Sequence, residues 1–382
     1  MTYRDKFKAY LDGSLDKEES RQIEEELEKI RVLSDYLNDE MDDKLFEDET
    51  AKEQYGCTSE KEMDMKNLIQ RAVNKKLRKL GIVVGSIVLA IVLFLMFGLS
   101  PIMNKIYYNP GELLGDFSSV IDLPLAVYTE LHTANKWFNY TNITPEGYGK
   151  YNLKVGYQFN GVIEDFYVTM DKGKFVGYYE DMLKSNLFSN SFTRGTEYNY
   201  FEPNDEYALE ELRKLPDTAI VEAAVSFPKD LDLKELEKLQ KEYNDFHITY
   251  IPVRVTDTSH QVMDYFGIEP TGTGIIFDKE TYDEEKYPLL ELSNAPGREI
   301  TPEQKEIHFK SMLKYMAEAK EFNEAINSHI DYKSALEFVE ENGAKTFGVV
   351  VKMPVKELMQ LRQDGAVENI LVTDAKLSIF SK

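Results

Sequence analysis

The side chains that most often do chemistry are few in this 382-residue chain, and they are not spaced for it. Metal sites use patterns such as H-E-x-x-H, serine nucleophiles use G-x-S-x-G, and phosphate loops use G-x-x-x-x-G-K-[ST]. None of these patterns occurs, and the five histidines are dispersed: His132, His247, His260, His308 and His329. The sequence predicts no catalytic residue, no metal site and no cofactor, so we expect a function that rests on binding and not on catalysis.

One segment is apolar enough to cross a membrane. The 25 residues from 80 to 104 carry no charge, and residues 82–99 contain no polar side chain except Ser86. At about 1.5 Å per residue, about 20 such residues span a hydrocarbon core of about 30 Å. A buried helix of a soluble protein is the alternative, but such a helix seldom runs this long without a polar face. The sequence therefore predicts a transmembrane helix region at 80–104.

Basic residues flank this span unequally. Residues 66–79 form a basic juxtamembrane segment with six lysines and arginines and no acid, whereas Lys105 is the one base between residues 100 and 120. Basic residues close to a span stay on the cytoplasmic side. We therefore expect a single-pass protein of the cell membrane, with its N-terminus in the cytoplasm and its C-terminus outside. The six bases also suit the anionic headgroups of membrane lipid.

Charge and cysteine content narrow the class of partner. The net charge is −23, of which −11 falls on residues 1–65 and −18 on the residues from 80 onward. Binding to nucleic acid needs clustered lysine or arginine, so we expect no direct contact with nucleic acid. The acidic inner part suits a basic protein partner, or it serves solubility alone. Because Cys57 is the one cysteine, the outer part holds no disulfide, which favours a Gram-positive cell surface.

Two amphipathic helices are predicted before the span. The first runs from Tyr3 to Leu11 with apolar residues on one face, and Asp12-Gly13 ends it. The second begins at Asp16, with Glu19 at the spacing of a capping box, and carries one apolar stripe. We predict that the partner binds the apolar faces of both helices, at Tyr3, Phe7, Tyr10, Leu11, Ile23, Leu27, Ile30, Leu33 and Leu37.

These two helices are too small to bury their apolar faces on each other alone. Segments shorter than about 40 to 60 residues rarely hold a full hydrophobic core. We therefore expect the stripe to be covered by a partner, which is either a second copy of the chain or another protein. A self-contained helical hairpin or a homodimeric coiled coil is the structural alternative.

The first region after the span, residues 105–209, is predicted to be β-rich. Residues 151–159 and 162–170 have the composition of strands, and Asp171-Lys172-Gly173 forms a turn into a third strand. These segments indicate an antiparallel meander. Trp137 lies early in this region and is either an interfacial residue at the membrane or a core aromatic.

The second region, residues 210–382, alternates strands and helices. Two segments each have the order strand, helix, strand. The first has strands at 219–227 and 247–255 with a helix at 231–243, and the second has strands at 346–353 and 369–377 with a helix at 355–363. Pro228 and Pro354 follow the first strand of each segment, where a helix can begin. The pattern predicts an α+β domain with two βαβ-like units on one sheet, which are either a duplication or a chance similarity.

Several segments together carry a resemblance to a known family. They are FKAYLDGSLDKEESRQIEEELEK at 7–29, AVSFPKDLDLKELEKL at 224–239 and KTFGVVVKMPVKELMQLRQ at 345–363, in this order around the span. The chain resembles the sigma-factor-regulator family of Firmicutes, which are membrane-anchored anti-sigma factors. The resemblance implies that the inner helices hold an extracytoplasmic-function sigma factor and block its contact with RNA polymerase.

Many anti-sigma domains carry a zinc motif of the H-x₃-C-x₂-C kind, and this chain departs from it. No histidine precedes His132 and Cys57 is the one cysteine, so the resemblance is to the zinc-free branch of the family. We expect the outer domain to receive or transmit an envelope signal, with an extracytoplasmic or membrane protein as a further partner. The alternative is a single-pass structural or adhesive surface protein whose inner helices dimerise.

The predicted architecture has five parts in chain order. The chain begins with a helical cytoplasmic domain at 1–65, followed by a basic segment at 66–79 and one transmembrane helix at 80–104. An extracytoplasmic β-rich region at 105–209 and an extracytoplasmic α+β regulator domain at 210–382 complete it.

Overall fold

The protein, seen in a computed structural model, forms two compact units, Met1–Ser86 and Ile87–Lys382. The boundary between the units falls inside one long helix. The structure describes residues 10, 16–25, 28–29, 32, 59–159, 161–184, 192, 205–243, 246–257, 265–271, 277, 281–292 and 299–377.

The first unit contains helix α1, which covers residues 17–25. Asp16 caps its N-terminus, because the Asp16 carboxylate accepts hydrogen bonds from the backbone N–H of Glu18 at 3.0 Å and of Glu19 at 2.8 Å. Such a cap satisfies amides that have no partner within the helix. The predicted helix start at Asp16 is confirmed.

A long apolar helix follows in three consecutive parts. Helix α2 spans Ser59–Leu93, a π-helical segment spans Phe94–Leu99, and helix α3 spans Ser100–Ile106. Pro101 has no backbone N–H and lies in the first turn of α3, where the winding changes. The stretch Val73–Ile106 is long and apolar enough to cross a membrane, and none of its most apolar window is buried in the protein. A core helix would be buried, so the structure favours the span over that alternative.

The C-terminal domain, residues 107–377, begins with a short hairpin and a helix. Strands β1 (Leu113–Leu114) and β2 (Ser118–Ser119) pair with each other, and helix α4 (Asp122–His132) follows them. Nine of the eleven residues of α4 are buried. The helix packs on strand β3 (Lys136–Gly147), on strand β9 (Phe266–Ile268) and on helix α8 (Pro302–Glu318). The sequence did not predict this central helix.

A four-stranded sheet comes next. Its strands β3, β4 (Lys150–Phe159), β5 (Val162–Asp171) and β6 (Lys174–Val176) pair in chain order, each antiparallel to the next. The predicted meander is thus confirmed, including the turn before residue 174. Two short helices follow it, α5 (Glu180–Leu183) and α6 (Asp205–Leu212).

The second sheet has five strands in the order β11-β7-β10-β8-β9. Every neighbouring pair is antiparallel. Helix α7 joins β7 to β8 and helix α11 joins β10 to β11, and each helix connects two parallel strands that have one strand between them. The two predicted strand–helix–strand segments are present and interleave in one sheet, as in ferredoxin-like folds. The bounds are β7 Ile220–Asp232, α7 Leu233–Glu242, β8 His247–Val253, β10 Lys345–Pro354, α11 Val355–Gln363 and β11 Asn369–Lys376.

Three helices lie in the chain between β9 and β10 and complete the domain. They are α8, α9 (Lys320–Ala325) and α10 (Tyr332–Asn342). Apolar residues of both sheets and of these helices form one continuous hydrophobic core, which includes Leu153 of β4, Val221 of β7 and Phe309 of α8. Burial of apolar area on this scale is what holds a domain without disulfides together.

One predicted boundary in this domain is wrong. Pro228 does not follow the first strand, because β7 continues to Asp232 and α7 begins at Leu233. The register between β7 and β10 shifts between Thr346 and Gly348, which marks a bulge in this stretch. A proline cannot donate to the ladder, and bulges are among the places where a sheet tolerates it. Pro354 does lie at the N-cap of α11, as predicted.

Candidate functional site

Of the nine predicted partner-binding residues, the structure describes two. The Tyr10 hydroxyl donates to a Glu24 carboxylate oxygen at 3.3 Å, which brings the end of the first predicted helix next to α1. Ile23 is buried, with 7% of its surface exposed. Seven residues lie outside the described part of the chain: Tyr3, Phe7, Leu11, Leu27, Ile30, Leu33 and Leu37.

The two faces of the second predicted helix differ in exposure. Ile23 is 7% exposed, whereas Val32 is 60% exposed. At 100° per residue, nine positions place these side chains on opposite faces of a helix. Arg21 adds two ion pairs on exposed positions, to Glu18 at 3.3 Å and to Glu25 at 3.6 Å. Ile23 is therefore covered within the chain itself, and the exposure of the later stripe residues lies outside the part of the chain that the structure describes.

Two histidines of the C-terminal domain are buried with both ring nitrogens hydrogen-bonded. His132 Nδ1 lies 2.9 Å from the Tyr265 carbonyl oxygen, and Nε2 lies 3.0 Å from the Tyr332 hydroxyl. A neutral ring satisfies both contacts, with Nδ1–H donating and Nε2 accepting. Burial, which outweighs the bond to the Tyr265 carbonyl, lowers the pKa of His132 to about 4.

His308 has the opposite environment. Its Nε2 lies 2.7 Å from the Glu130 carboxylate, and its Nδ1 lies 2.7 Å from the Leu289 carbonyl oxygen. Both partners accept hydrogen bonds, so both nitrogens carry protons. Burial lowers the pKa of His308, but Glu130 and the Leu289 carbonyl outweigh it, so that the pKa is raised overall. The buried pair links α8 to α4 and is a structural contact.

A third buried titratable group, Glu269, lies directly after β9. It is 5% exposed, and its carboxylate accepts a hydrogen bond from the Thr271 hydroxyl at 3.0 Å. Burial, followed by repulsion from Glu130, raises the pKa of Glu269 to about 8. Within the described ranges, no group of three or more His, Cys, Asp and Glu residues could hold a metal ion. His132, His308 and Glu269 thus each hydrogen-bond to neighbouring residues of the domain.

An open cavity of about 340 Å³ is lined by charged residues of both signs. Lys352 lies 3.1 Å from the Glu222 carboxylate, and Lys376 lies 3.5 Å from the Asp374 carboxylate. These charges neutralise one another, so the cavity does not offer a field of one sign. Trp137 lines the same cavity at the start of β3.

The end of the apolar helix is hydrogen-bonded to the C-terminal domain. In the turn between β3 and β4, the Tyr148 hydroxyl donates to the Leu95 carbonyl oxygen at 2.6 Å, and the Tyr148 N–H donates to Ser100 Oγ at 3.1 Å. The Gly149 N–H donates to Asn104 Oδ1 at 2.9 Å. We call this set of contacts the helix–turn joint. The helix and the domain are therefore connected by more than the chain that links them.

The backbone of this turn is specialised. Gly147, Tyr148 and Gly149 all have positive φ angles, of 88°, 56° and 78°. Glycine adopts this conformation readily, and a tyrosine between two glycines is held there at a cost. The sequence Thr144-Pro145-Glu146-Gly147 indicates a turn, but it does not reveal that the turn contacts residues about 50 positions earlier. Only the fold shows the joint.

Comparison with known proteins agrees with this architecture. Residues 212–373, which cover most of the five-stranded sheet and its helices, match the family model "Sigma factor regulator C-terminal". Through this domain, the chain is similar to sigma-factor regulators. It is also similar to the probable anti-sigma-M factor YhdL of Bacillus subtilis (strain 168), with 21% identity over 98% of each chain. No solved structure matches the chain. The resemblance to sigma-factor regulators that the sequence predicts is confirmed.

Proposed function

We propose that the protein is a membrane-anchored anti-sigma factor. One observation carries the proposal: the similarity to a probable anti-sigma factor extends over 98% of both chains, so it includes the N-terminal helices and the span as well as the family domain. The described structure supports the same order of parts, with the capped helix α1, one exposed apolar helix and an α+β domain.

The mechanism that fits this architecture is competitive binding. The N-terminal helices would cover a surface of an extracytoplasmic-function sigma factor that RNA polymerase needs. The predicted stripe beyond Ile23, from Leu27 to Leu37, would supply the apolar contact, and the acidic residues beside it favour a basic partner. The Asp16 cap fixes the start of the helix that carries this stripe. The C-terminal domain would receive an envelope signal and change how tightly the helices hold the sigma factor.

Leu27→Asp tests the binding stripe. In the second predicted helix, Leu27 comes one turn after Ile23 in the apolar stripe, and a charge placed in an apolar interface costs several kcal/mol. We expect Leu27→Asp to release the sigma factor and raise transcription of its regulon, measured in the host with a reporter gene. Val32→Asp is the matched control, because it adds the same charge on the opposite, exposed face. A silent reporter with an inserted Leu27→Asp protein would show that this stripe does not hold the partner.

The accessibility of the native cysteine tests on which side of the membrane the N-terminal part lies. Cys57 is the one cysteine, so a membrane-impermeant thiol reagent reports its side of the membrane without engineering. We propose that Cys57 is protected in intact cells. In a Cys57→Ser chain, Lys333→Cys should be labelled, since the Lys333 side chain is 80% exposed in α10. Labelling of Cys57 with protection of the residue at 333 would reverse the proposed orientation.

A further inference from the structure

The helix–turn joint lies at a defined height along the apolar helix. Counting about 20 residues from Leu80, the first uncharged position, places the outer edge of the hydrocarbon near Leu99. The turn backbone bonds Ser100 and Asn104, just beyond this edge. The Tyr148 side chain reaches back to Leu95, about 6 Å inside it at 1.5 Å per residue. Tyrosine rings favour this depth, where one end is apolar and the other polar.

Lysines at the turn end of the four-stranded sheet give it the positive charge expected beside a membrane. The Lys172 N–H donates to the Gly149 carbonyl at 2.9 Å, which places the β5–β6 turn next to the β3–β4 turn. Lys150 and Lys174 flank these turns, and Lys105 lies in the last turn of α3. Four lysines therefore gather at one end of a domain that is otherwise strongly acidic.

The acids at this end do not cancel the lysines. Glu146 is bonded to Lys150 at 2.7 Å, and Asp171 pairs in register with Lys150 and Lys174. Four bases against two acids leave a net positive end. Phospholipid headgroups with a negative charge attract such an end by about 1 kcal/mol for each base near the surface.

From these observations we propose that the turn end of the four-stranded sheet, residues 146–150 and 171–174, rests on the outer leaflet of the membrane. Tyr148 would lie in the interface, and Lys105, Lys172 and Lys174 would face anionic phospholipid headgroups. This inference rests on the proposed anchoring by residues 80–104. The domain would then be seated on the bilayer and fixed to the span, so that a force on the domain tilts or turns the helix instead of bending a linker.

The native sequence offers a built-in control for the test. Trp137 is the one tryptophan, and it lies ten residues before Gly147 on β3, about 33 Å away along an extended strand. The full chain is placed in nanodiscs of phosphatidylcholine and phosphatidylglycerol, and the acyl chains carry bromine, which quenches tryptophan nearby. The native chain is compared with a Trp137→Phe, Tyr148→Trp chain, whose one tryptophan reports the turn.

We expect the tryptophan at position 148 to be quenched at least about twofold more than Trp137, because interfacial aromatic residues contact the acyl chains. A chain that elutes with the nanodiscs but shows equal quenching of the two tryptophans overturns the seating. A chain that does not elute with the nanodiscs overturns the anchoring on which the seating rests. The two failures are thus distinguishable.

The charge part of the proposal has a second measurement. In the same single-tryptophan chain, Lys172→Glu with Lys174→Glu should reduce the quenching in discs that contain phosphatidylglycerol and leave it unchanged in pure phosphatidylcholine. Lys376→Glu is the control, because Lys376 lines the cavity beside Trp137 at the other end of β3. Equal effects of the double and control variants would show that the lysines of the turn end do not meet anionic headgroups.

Discussion

Replacing Glu269 by glutamine should make the C-terminal domain more stable in alkaline solution and leave its stability almost unchanged in acid. Burial, with Glu130 nearby, raises the pKa of Glu269 from 4.5 to about 8. When the pKa of a carboxyl group is higher in the folded state than in the unfolded state, its contribution to stability is fully present below the unfolded-state pKa. This contribution is lost as the pH rises through the folded pKa. Glutamine has the same shape and cannot ionise, so it does not suffer this loss.

The magnitude follows from the shift. A rise of the Glu269 pKa from 4.5 to about 8 amounts to roughly 5 kcal/mol at high pH, and to roughly 4 kcal/mol near pH 8. That is a large share of the 5 to about 15 kcal/mol by which domains are commonly stable. Glutamine also keeps an oxygen that can accept the hydrogen bond from Thr271. The gain in the free energy of unfolding should therefore come mainly from the loss of the charge.

Urea titration of the full chain in nanodiscs, followed by Trp137 fluorescence, measures this difference at about pH 5 and about pH 8. We expect Glu269→Gln to exceed the native chain by several kcal/mol at the higher pH only. Glu285→Gln is the control, because Glu285 is exposed. A constant difference between Glu269→Gln and the native chain at both pH values would refute the reasoning.

Two further substitutions test local features of the fold by the same urea titration. In the capping box of α7, Asp232 and Glu235 satisfy each other's backbone N–H groups. Asp232→Ala removes this box and should lower the free energy of unfolding by about 1 kcal/mol, whereas Asp232→Asn should keep most of that stability. Gly156→Ala places a methyl group against the Tyr140 ring on the neighbouring strand and should cost about 1 to 3 kcal/mol; an unchanged urea midpoint would show that the ring moves aside freely.

Elements with strong local signals could be predicted from the sequence. Helix α11 has the predicted bounds, 355–363, because Pro354 marks its start. The strands of the meander were also predicted, since their composition and the turn at Gly173 are local signals. In each case neighbouring residues in the chain decide the structure.

Helix α4 could not be predicted, for a physical reason. Nine of its eleven residues are buried, so it has no polar face and no helical periodicity of apolar residues. Its N-cap, Ile121, makes no side-chain cap hydrogen bond. Tertiary packing around the helix, and not its own sequence pattern, determines it.

The joint at the end of the span was missed because its contacts are distant in sequence. The Tyr148 hydroxyl and its acceptor on Leu95 are 53 positions apart. The sequence is compatible with either an interfacial or a core position for Trp137. The structure places it at the end of β3 remote from the joint, where it lines a cavity. The stripe on the N-terminal helices stays a prediction beyond Ile23, since its other members lie outside the described residues.

Direct binding tests the central claim most directly. The full chain in nanodiscs is mixed with each purified extracytoplasmic-function sigma factor of its host, and the complex is separated from free sigma factor by size. We predict that one of them binds in a one-to-one complex and that this bound sigma factor no longer associates with core RNA polymerase. Failure of every such sigma factor to bind a chain that is inserted and folded would contradict the account.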